Sequence, residues 1–415
     1  MLNWCNRFNI CCFLDNHNYH LSHHSIECVL AAGASDLVSC DAGNAFSELN
    51  EFSARHKDWL FGHFGYDLKN ETEQLVSRNP DNVKFPDLFF FVPEILIRLD
   101  QHSISIGTVQ QHDAGTVWRD IQASQTLPQK SGRISAIQQR YTREEYVETV
   151  KKLKQHILRG DCYEINFCQE FYAENARIDM TGLYKDLSNS SPNPFSAFYR
   201  VNDLFLSCQS PERFLRKEGD HLLSQPIKGT SQRITGDVDA DKNNASELAN
   251  SEKERAENIM VVDLVRNDLS RICMEGSVVV DELCAVYSFP HVHQMISTIS
   301  GKLKDGVTWI DAIRAAFPMG SMTGAPKKRV MEIIENYEKT KRGLFSGSIG
   351  YVTPDRDFDF NVVIRSVLYN STNQYLSFHA GSAITFVSDP EKEYDECLLK
   401  AAAIKKALAE TNTFH

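Results

Sequence analysis

Two residues in the stretch Ser210 to Arg233, SPERFLRKEGDHLLSQPIKGTSQR, have the makings of a catalytic pair. Glu212 stands beside a proline, and Lys228 lies inside Pro226-Ile227-Lys228-Gly229-Thr230. Between them, Arg213 to Lys217 and His221 to Gln225 read as strands joined by a Gly219-Asp220 turn, so a hairpin would bring carboxyl and amine onto one surface. The carboxyl can serve as proton donor and the amine as nucleophile. An amine attacks only when uncharged, and lowering a lysine pKa from about 10.4 to about 7 takes roughly 4 to 5 kcal/mol, which burial or a nearby cation supplies. On spacing alone a surface hairpin with an ordinary solvated lysine is the plainer reading, and a neutral, nucleophilic Lys228 the sharper one.

Other residues offer charge in usable patterns. Glu254 and Glu257 stand three apart in a helical stretch, and Glu393 and Glu396 repeat that spacing near the C-terminus. Three-residue spacing on a helix places side chains on one face, and four carboxylates on two faces suit a hard divalent cation whose remaining positions go to water and a substrate oxygen. Solvated glutamates on charged faces are the plainer reading. In FPMGSMTGAPKK, Gly320 and Gly324 permit close backbone approach, Thr323 offers a hydroxyl, and Pro326 suits the start of a helix whose free N–H groups would seat an anion. The segment is not a Walker A loop, and no GxGxxG fingerprint occurs. Arg365 falls in the apolar run VVIRSV, where a cation needs an anionic partner, either substrate or a structural carboxylate. Lys400 follows Glu396 by four residues, and Gly381 in HAGSAIT either exposes backbone donors or marks a bulge.

These residues must be positioned by a large soluble chain. Of 415 residues 42% are hydrophobic and 24% charged, and the net charge of −11 argues against nucleic acid or an anionic membrane as partner. An anionic substrate would need a locally positive site. Eleven cysteines without CxxC pairs suit a reducing cytoplasm better than a disulfide framework. The N-terminus lacks the apolar core of a signal peptide, and no run approaches a membrane span.

The first 60 residues are weakly patterned. From Trp59, FGHFGYDLKNETE reads as a strand ending in a turn, Val92 to Ile106 adds strands, and the polar stretch Gln110 to Ser135 is the best linker candidate. Thr142 and Glu145 form a capping box for a helix closed by Gly160, and YEINFCQEFYAE reads as a long strand. SPNPFSAFYR turns into another strand. A polar loop from Thr235 to Asn244 precedes one long helix from about Glu247, and further helices are expected at Trp309 to Phe317, Lys327 to Tyr337 and Glu391 to Leu408. Strand-like GSIGYV, FNVVIRSVLY and YLSFHAGSAITFV lie between the last two. This irregular alternation predicts an α+β layered architecture rather than a doubly wound sheet.

Taken in order, SPERFL, PIKGT, SEKERAEN followed by VVDLVRNDLSRIC, AAFPMGSMTGAPKKRVMEIIE, FSGSIGYV, VVIRS and SDPEKEYDE resemble the chorismate-utilising enzymes, the group containing component I of anthranilate synthase and of aminodeoxychorismate synthase. The likeness is strong from Tyr141 to Leu408, and FGHFGYDLK resembles an N-terminal signature of the same large subunits. The resemblance implies a large sandwich of two facing antiparallel sheets with helices outside, residues 1–125 forming its N-terminal part and residues 135–410 the chorismate-binding catalytic domain. PIKGT, where anthranilate synthases typically read PIAGT, resembles the aminodeoxychorismate branch.

That branch implies a neutral Lys228 attacking C2 of chorismate while Glu212 protonates the departing C4 hydroxyl, after which ammonia adds at C4 and displaces the lysine. It further implies Glu257 and Glu396 as Mg2+ ligands with Glu254 and Glu393 supporting them, and Thr323, Gly324, Arg365, Gly381 and Lys400 at the substrate. Three departures stand out: Gln294 in Val292-His293-Gln294-Met295 where many relatives have histidine, Ala383 ending the usual AGxG turn, and Glu164 where water-adding relatives carry a lysine base. No cysteine sits in a nucleophile elbow, so ammonia is expected from a separate glutaminase subunit or as free ammonium. The rivals are an anthranilate synthase component I carrying a lysine and a catalytically idle scaffold. Tryptophan control is not expected, because no N-terminal half of such a pocket is recognisable beside SPNPFSAFYR.

Overall fold

The hairpin between Glu212 and Lys228 forms as strands Arg213–Glu218 and His221–Gln225, with Gly219 at φ +60°. A side chain is strained in that left-handed region, so glycine holds the turn. Pro226 then leads into a third strand, Ile227–Gln232, which pairs with Val292–Lys302 rather than with the hairpin. These elements belong to a computed structural model that describes residues 1–19, 26–109, 112–124, 132–234 and 236–411.

Two antiparallel sheets organise the chain. The ten-stranded sheet runs, from the edge that carries Lys228, Ile227–Gln232, Val292–Lys302, His221–Gln225, Arg213–Glu218, Phe358–Asn361, Ser348–Val352, Leu60–Phe64, Leu88–Val92 and Asp36–Cys40, with Val279–Ser288 paired to Val292–Lys302. The eleven-stranded sheet runs Gly324–Ala325, Glu164–Ala173, Tyr375–Ile384, Ser366–Asn370, Leu204–Ser210, Phe195–Val201, Ile10–Asp15, Cys28–Ala32, Ile95–Leu99 and Ile104–Thr108, with Gln138–Gln139 paired to Glu164–Ala173. Strands from residues 1–125 enter both sheets: Ile10–Asp15 pairs with Phe195–Val201, and Leu60–Phe64 with Ser348–Val352.

The sheets face each other across an aromatic core. All five residues of Leu88–Val92 are buried because both faces are covered. On one face Phe89 stacks on His63, which hydrogen-bonds at 3.1 Å to Tyr199 of the opposite sheet. On the other, Phe90 meets Trp309 from the helix Trp309–Ala316. The outer face of the eleven-stranded sheet is covered by helices including Arg143–Leu158, Met180–Ser190 and Pro390–Thr411, with Tyr146 against Phe167 and Tyr394. The α+β sandwich expected from the resemblance is the observed fold.

Several local expectations need correction. Among the described residues five elements occupy the unpatterned first 60 positions, including strands Ile10–Asp15 and Cys28–Ala32. The candidate linker holds a helix, Ala114–Ala123, capped by Asp113; residues 110–111 and 125–131 of that stretch lie outside the described residues. The polar loop and long helix are instead two helices, Val238–Asn250 and Glu252–Ile272, because the Ser251 side chain accepts the Glu254 N–H and starts a new helix. Arg365 is not in a strand: the chain leaves the ladder after Asn361, and Arg365 sits at φ +49° just before Ser366–Asn370. No helix among the described residues is long and apolar enough to cross a membrane. All eleven cysteines are free, and all but Cys40 are buried.

A buried ion pair fixes the strand that carries Glu164. Arg342 meets Glu338 at 2.6 Å and donates to the carbonyls of Asn166 at 2.8 Å and Met322 at 2.7 Å, while Glu338 accepts the Cys168 N–H at 2.9 Å. Asn166 completes the staple by donating to the Ser321 carbonyl at 2.7 Å. Removing the cation leaves Glu338 buried and unpaired, which typically costs about 3 to 5 kcal/mol. Arg342→Leu should accordingly lower unfolding free energy by that amount in a urea titration, and a loss under about 1 kcal/mol would contradict the staple.

Candidate active site

Glu164 is the first residue of the long strand Glu164–Ala173, and its main chain is gripped from the side by the Gly324–Ala325 bridge. A Cβ on Gly324, at φ +141°, would stand 2.1 Å from the Glu164 carbonyl oxygen, so only glycine allows this approach. The carboxylate so placed receives Lys228: Nζ donates to Glu164 Oε1 at 2.9 Å, with the side chains 10% and 2% exposed. This corrects the expectation of a neutral amine. Burial alone would lower the Lys228 pKa, but the carboxylates of Glu164, Glu257 and Glu212 outweigh it and hold the ammonium above its ordinary range.

Glu212 behaves in the opposite sense. It is buried just before Arg213–Glu218, and burial pushes its carboxyl up to about 7 against the opposing pull of the Ser321 hydroxyl, the Lys228 charge and the Ile227 N–H. Arg213 anchors the strand behind it through a paired contact to Asp359 at 2.9 and 3.0 Å. The helix Lys327–Tyr337 is tied to the helix Glu252–Ile272 by Lys327 and Asp268, 2.5 Å apart.

The four helical glutamates converge from two elements, Glu252–Ile272 and Pro390–Thr411. Lys253 Nζ lies between them, 3.9 Å from Glu257 Oε1 and 3.6 Å from Glu393 Oε1. Glu257 Oε1 and Glu393 Oε2 are buried without a hydrogen-bond partner. Burial lifts Glu257 to about 7 despite Lys228, and the charges of Glu164 and Glu254 add to the rise. Burial also raises Glu254, whereas in Glu396 the burial penalty is outweighed by Lys400, Lys253 and Lys228, which lower it. Among the described residues no three acidic, His or Cys donors meet as a preformed metal cluster. Two orphaned carboxylate oxygens with an ammonium between the helices nevertheless fit a hard cation that brings its own water.

The residues expected at the substrate divide into free and engaged groups. Arg365 is partly buried and has no ion pair or side-chain hydrogen bond among the described residues; burial lowers its pKa. Lys400 is engaged by Glu396 at 2.7 Å and by the Gly381 carbonyl at 3.1 Å. Gly381 lies in an unbroken register with Cys168, so it marks no bulge, and a Cβ there would fall 2.0 Å from the Phe167 oxygen. Along Tyr375–Ile384 the strand Ser366–Asn370 pairs with Tyr375 to Ser377 alone, so among the described residues no strand pairs with the backbone edge beside Gly381 on that side. Thr323 is buried, with its hydroxyl 3.2 Å from the Met319 carbonyl.

Of the departures, Gln294 is buried opposite Thr230 with its Nε2 unpartnered, and Ala383 pairs opposite Asn166. Sequence reasoning passed over Glu164 as a partner of Lys228, Lys253 as the cation between acidic helices, and the Glu338–Arg342 staple. A carboxylate opening the apolar run EINFC was the one available signal for Glu164.

Comparison with known proteins gives the family and the fold. A family model described as chorismate binding enzyme matches residues 12–406. The chain is 38% identical over 344 residues to aminodeoxychorismate synthase component 1 of Salmonella typhimurium, spanning 83% of this chain and 75% of that protein. It is 34% identical over 359 residues to anthranilate synthase component 1 of Thermus thermophilus, spanning 84% and 77%. Its fold matches crystalline anthranilate synthase component I from Streptococcus pneumoniae with a TM-score of 0.78 at 25% identity, covering 92% and 94% of the two chains. The menaquinone-specific isochorismate synthase of Escherichia coli shares the fold with a TM-score of 0.79 at 17% identity, over 98% and 91%. With its model matched from the first long strand to the last helix and its relatives alike over most of their length, the chain belongs to the chorismate binding enzyme family.

Proposed function

We propose that this chain is the large component of an aminodeoxychorismate synthase, converting chorismate and ammonia to 4-amino-4-deoxychorismate for para-aminobenzoate and folate synthesis in the cytoplasm. The observation that carries the reading is Lys228, buried at a carboxylate and close enough to the Glu212 and Glu257 charges to feel both. A lysine so placed becomes a nucleophile once a neighbouring carboxylate takes its proton. Its motif PIKGT and the relatives named aminodeoxychorismate synthase component 1 support the same branch. Anthranilate formation is the second reading, favoured by the 34% identity to the Thermus thermophilus enzyme.

In the proposed reaction Lys228, once deprotonated, forms a bond from Nζ to C2 of the ring. The two conjugated ring double bonds shift together toward C4, and the C4–O bond breaks as Glu212 gives its proton to the hydroxyl, which leaves as water. Ammonia then bonds to C4, the two double bonds shift back, and the C2–Nζ bond breaks with its electron pair leaving on Nζ. Glu212, now ionised, takes the surplus proton from the incoming nitrogen. Splitting the displacement in two lowers each barrier. Arg365, whose side chain has no partner among the described residues, would bind a substrate carboxylate, and the backbone edge at Gly381 with Thr323 and Gly324 would bound the ring. Glu257 and Glu396, supported by Glu254 and Glu393, would hold Mg2+, which supplies charge to fix and polarise a substrate carboxylate. Ammonia would come from a partner glutaminase subunit or from free ammonium.

With chorismate, Mg2+ and ammonium, the pure chain should yield a product with the mass of aminodeoxychorismate, and Lys228→Ala should lower its rate at least roughly 100-fold. Undiminished amination by that variant would exclude the covalent route, and fluorescent anthranilate as the product would favour the second reading. Glu257→Gln should cost roughly 100-fold in rate and flatten the response to Mg2+; retained Mg2+-dependent turnover would remove that glutamate from the metal site.

A further inference from the structure

A lysine held as an ammonium cannot attack, so its proton needs an acceptor within the closed site. Three elements place acidic groups around Nζ: Glu164 on Glu164–Ala173, Glu212 ahead of Arg213–Glu218, and Glu257 on Glu252–Ile272. Lys253 and Glu254 lie on that last helix, and Glu393, Glu396 and Lys400 face it from Pro390–Thr411. Among the described residues only Glu164 lies within ion-pair distance of Lys228 Nζ. Glu212 must carry a proton to act as acid, so it cannot also receive one in the same step.

Glu164 has the build of an acceptor. Its backbone is clamped against Gly324–Ala325, Oε1 takes the lysine hydrogen bond, and Oε2 is buried without a partner and so has a vacant site for hydrogen bonding. We propose that Glu164 is a catalytic residue that takes the Lys228 proton before the amine attacks and returns it when the amine departs. The inference rests on the amination through Lys228 proposed above. The balance closes: the proton moves from Nζ to Glu164, the Nζ lone pair forms the C2 bond, and after ammonia expels the amine the same proton goes back to Nζ. The proton lost by Glu212 to the leaving hydroxyl is replaced from the nitrogen added at C4.

The test compares wild type, Glu164→Gln, Glu164→Asp and Lys228→Ala in amination of chorismate by ammonium with Mg2+, from pH 6 to 9, with thermal melts as a folding control. Glutamine keeps an acceptor oxygen for the lysine but takes no proton. The expected kcat ratio of Glu164→Gln to wild type is about 1:100 near pH 7, rising as hydroxide takes over the acceptor role, with chorismate KM within threefold. Glu164→Asp should lie between the two. A ratio near one at pH 7, or a loss that stays flat with pH while KM and melting temperature hold, would overturn the assignment. If Glu164→Gln fails to fold, the aspartate variant decides: wild-type kcat despite a withdrawn carboxylate favours a purely structural role and overturns the proposal, whereas a pH-dependent loss supports it. Full activity in Lys228→Ala would instead refute the underlying amination route.

Discussion

The ion pair between Lys228 and Glu164 is the constraint on which the site depends. Lys228 comes from the edge strand of the ten-stranded sheet, and Glu164 from a strand beside the edge of the eleven-stranded one. Their 2.9 Å contact therefore joins the two layers at one end, where the acidic helices close over it. Burying charge is costly unless it is paired, and a lone ammonium or carboxylate here would be forced toward neutrality. Glycine at 324 lets the strand come close, and the Arg342–Glu338 staple keeps it in register with the Ser321–Thr323 loop.

Around that pair the protein separates protonation states by environment. Lys228 is held up by three carboxylates, Glu212 is raised to about 7 chiefly by burial, and Glu396 is lowered because cations outweigh its burial. Neighbouring groups driven apart in this way are suited to distinct acid and base duties. The chain as a whole is acidic, so affinity for an anionic substrate has to be local. In the reading proposed above Arg365, whose side chain has no partner among the described residues, would supply one such charge, and a cation held by the acidic helices the other.

Much of this was legible in the chain, because the informative elements carry strong local signals. The Gly219 turn, the Thr142 capping box and the helix Lys327–Tyr337 fall where the pattern puts them. The first 60 residues were opaque because their strands ICCFLD and CVLAA are built from cysteine, alanine and leucine, which pack well in a closed core but have little strand propensity. Ser251 broke a continuous helical pattern through a side-chain cap that periodicity does not register. The ionisation of Lys228 could not be read from its neighbours Ile227 and Gly229, since the partner that decides it lies 64 residues away in sequence and meets it only through the tertiary fold.

The most direct measurement of the central claim is covalent capture. Wild-type chain mixed with chorismate and Mg2+ in the absence of ammonia, quenched and digested, should give a peptide containing Lys228 that has gained the mass of chorismate less one water. An unmodified Lys228 peptide under conditions where chorismate is consumed on adding ammonium would contradict the account.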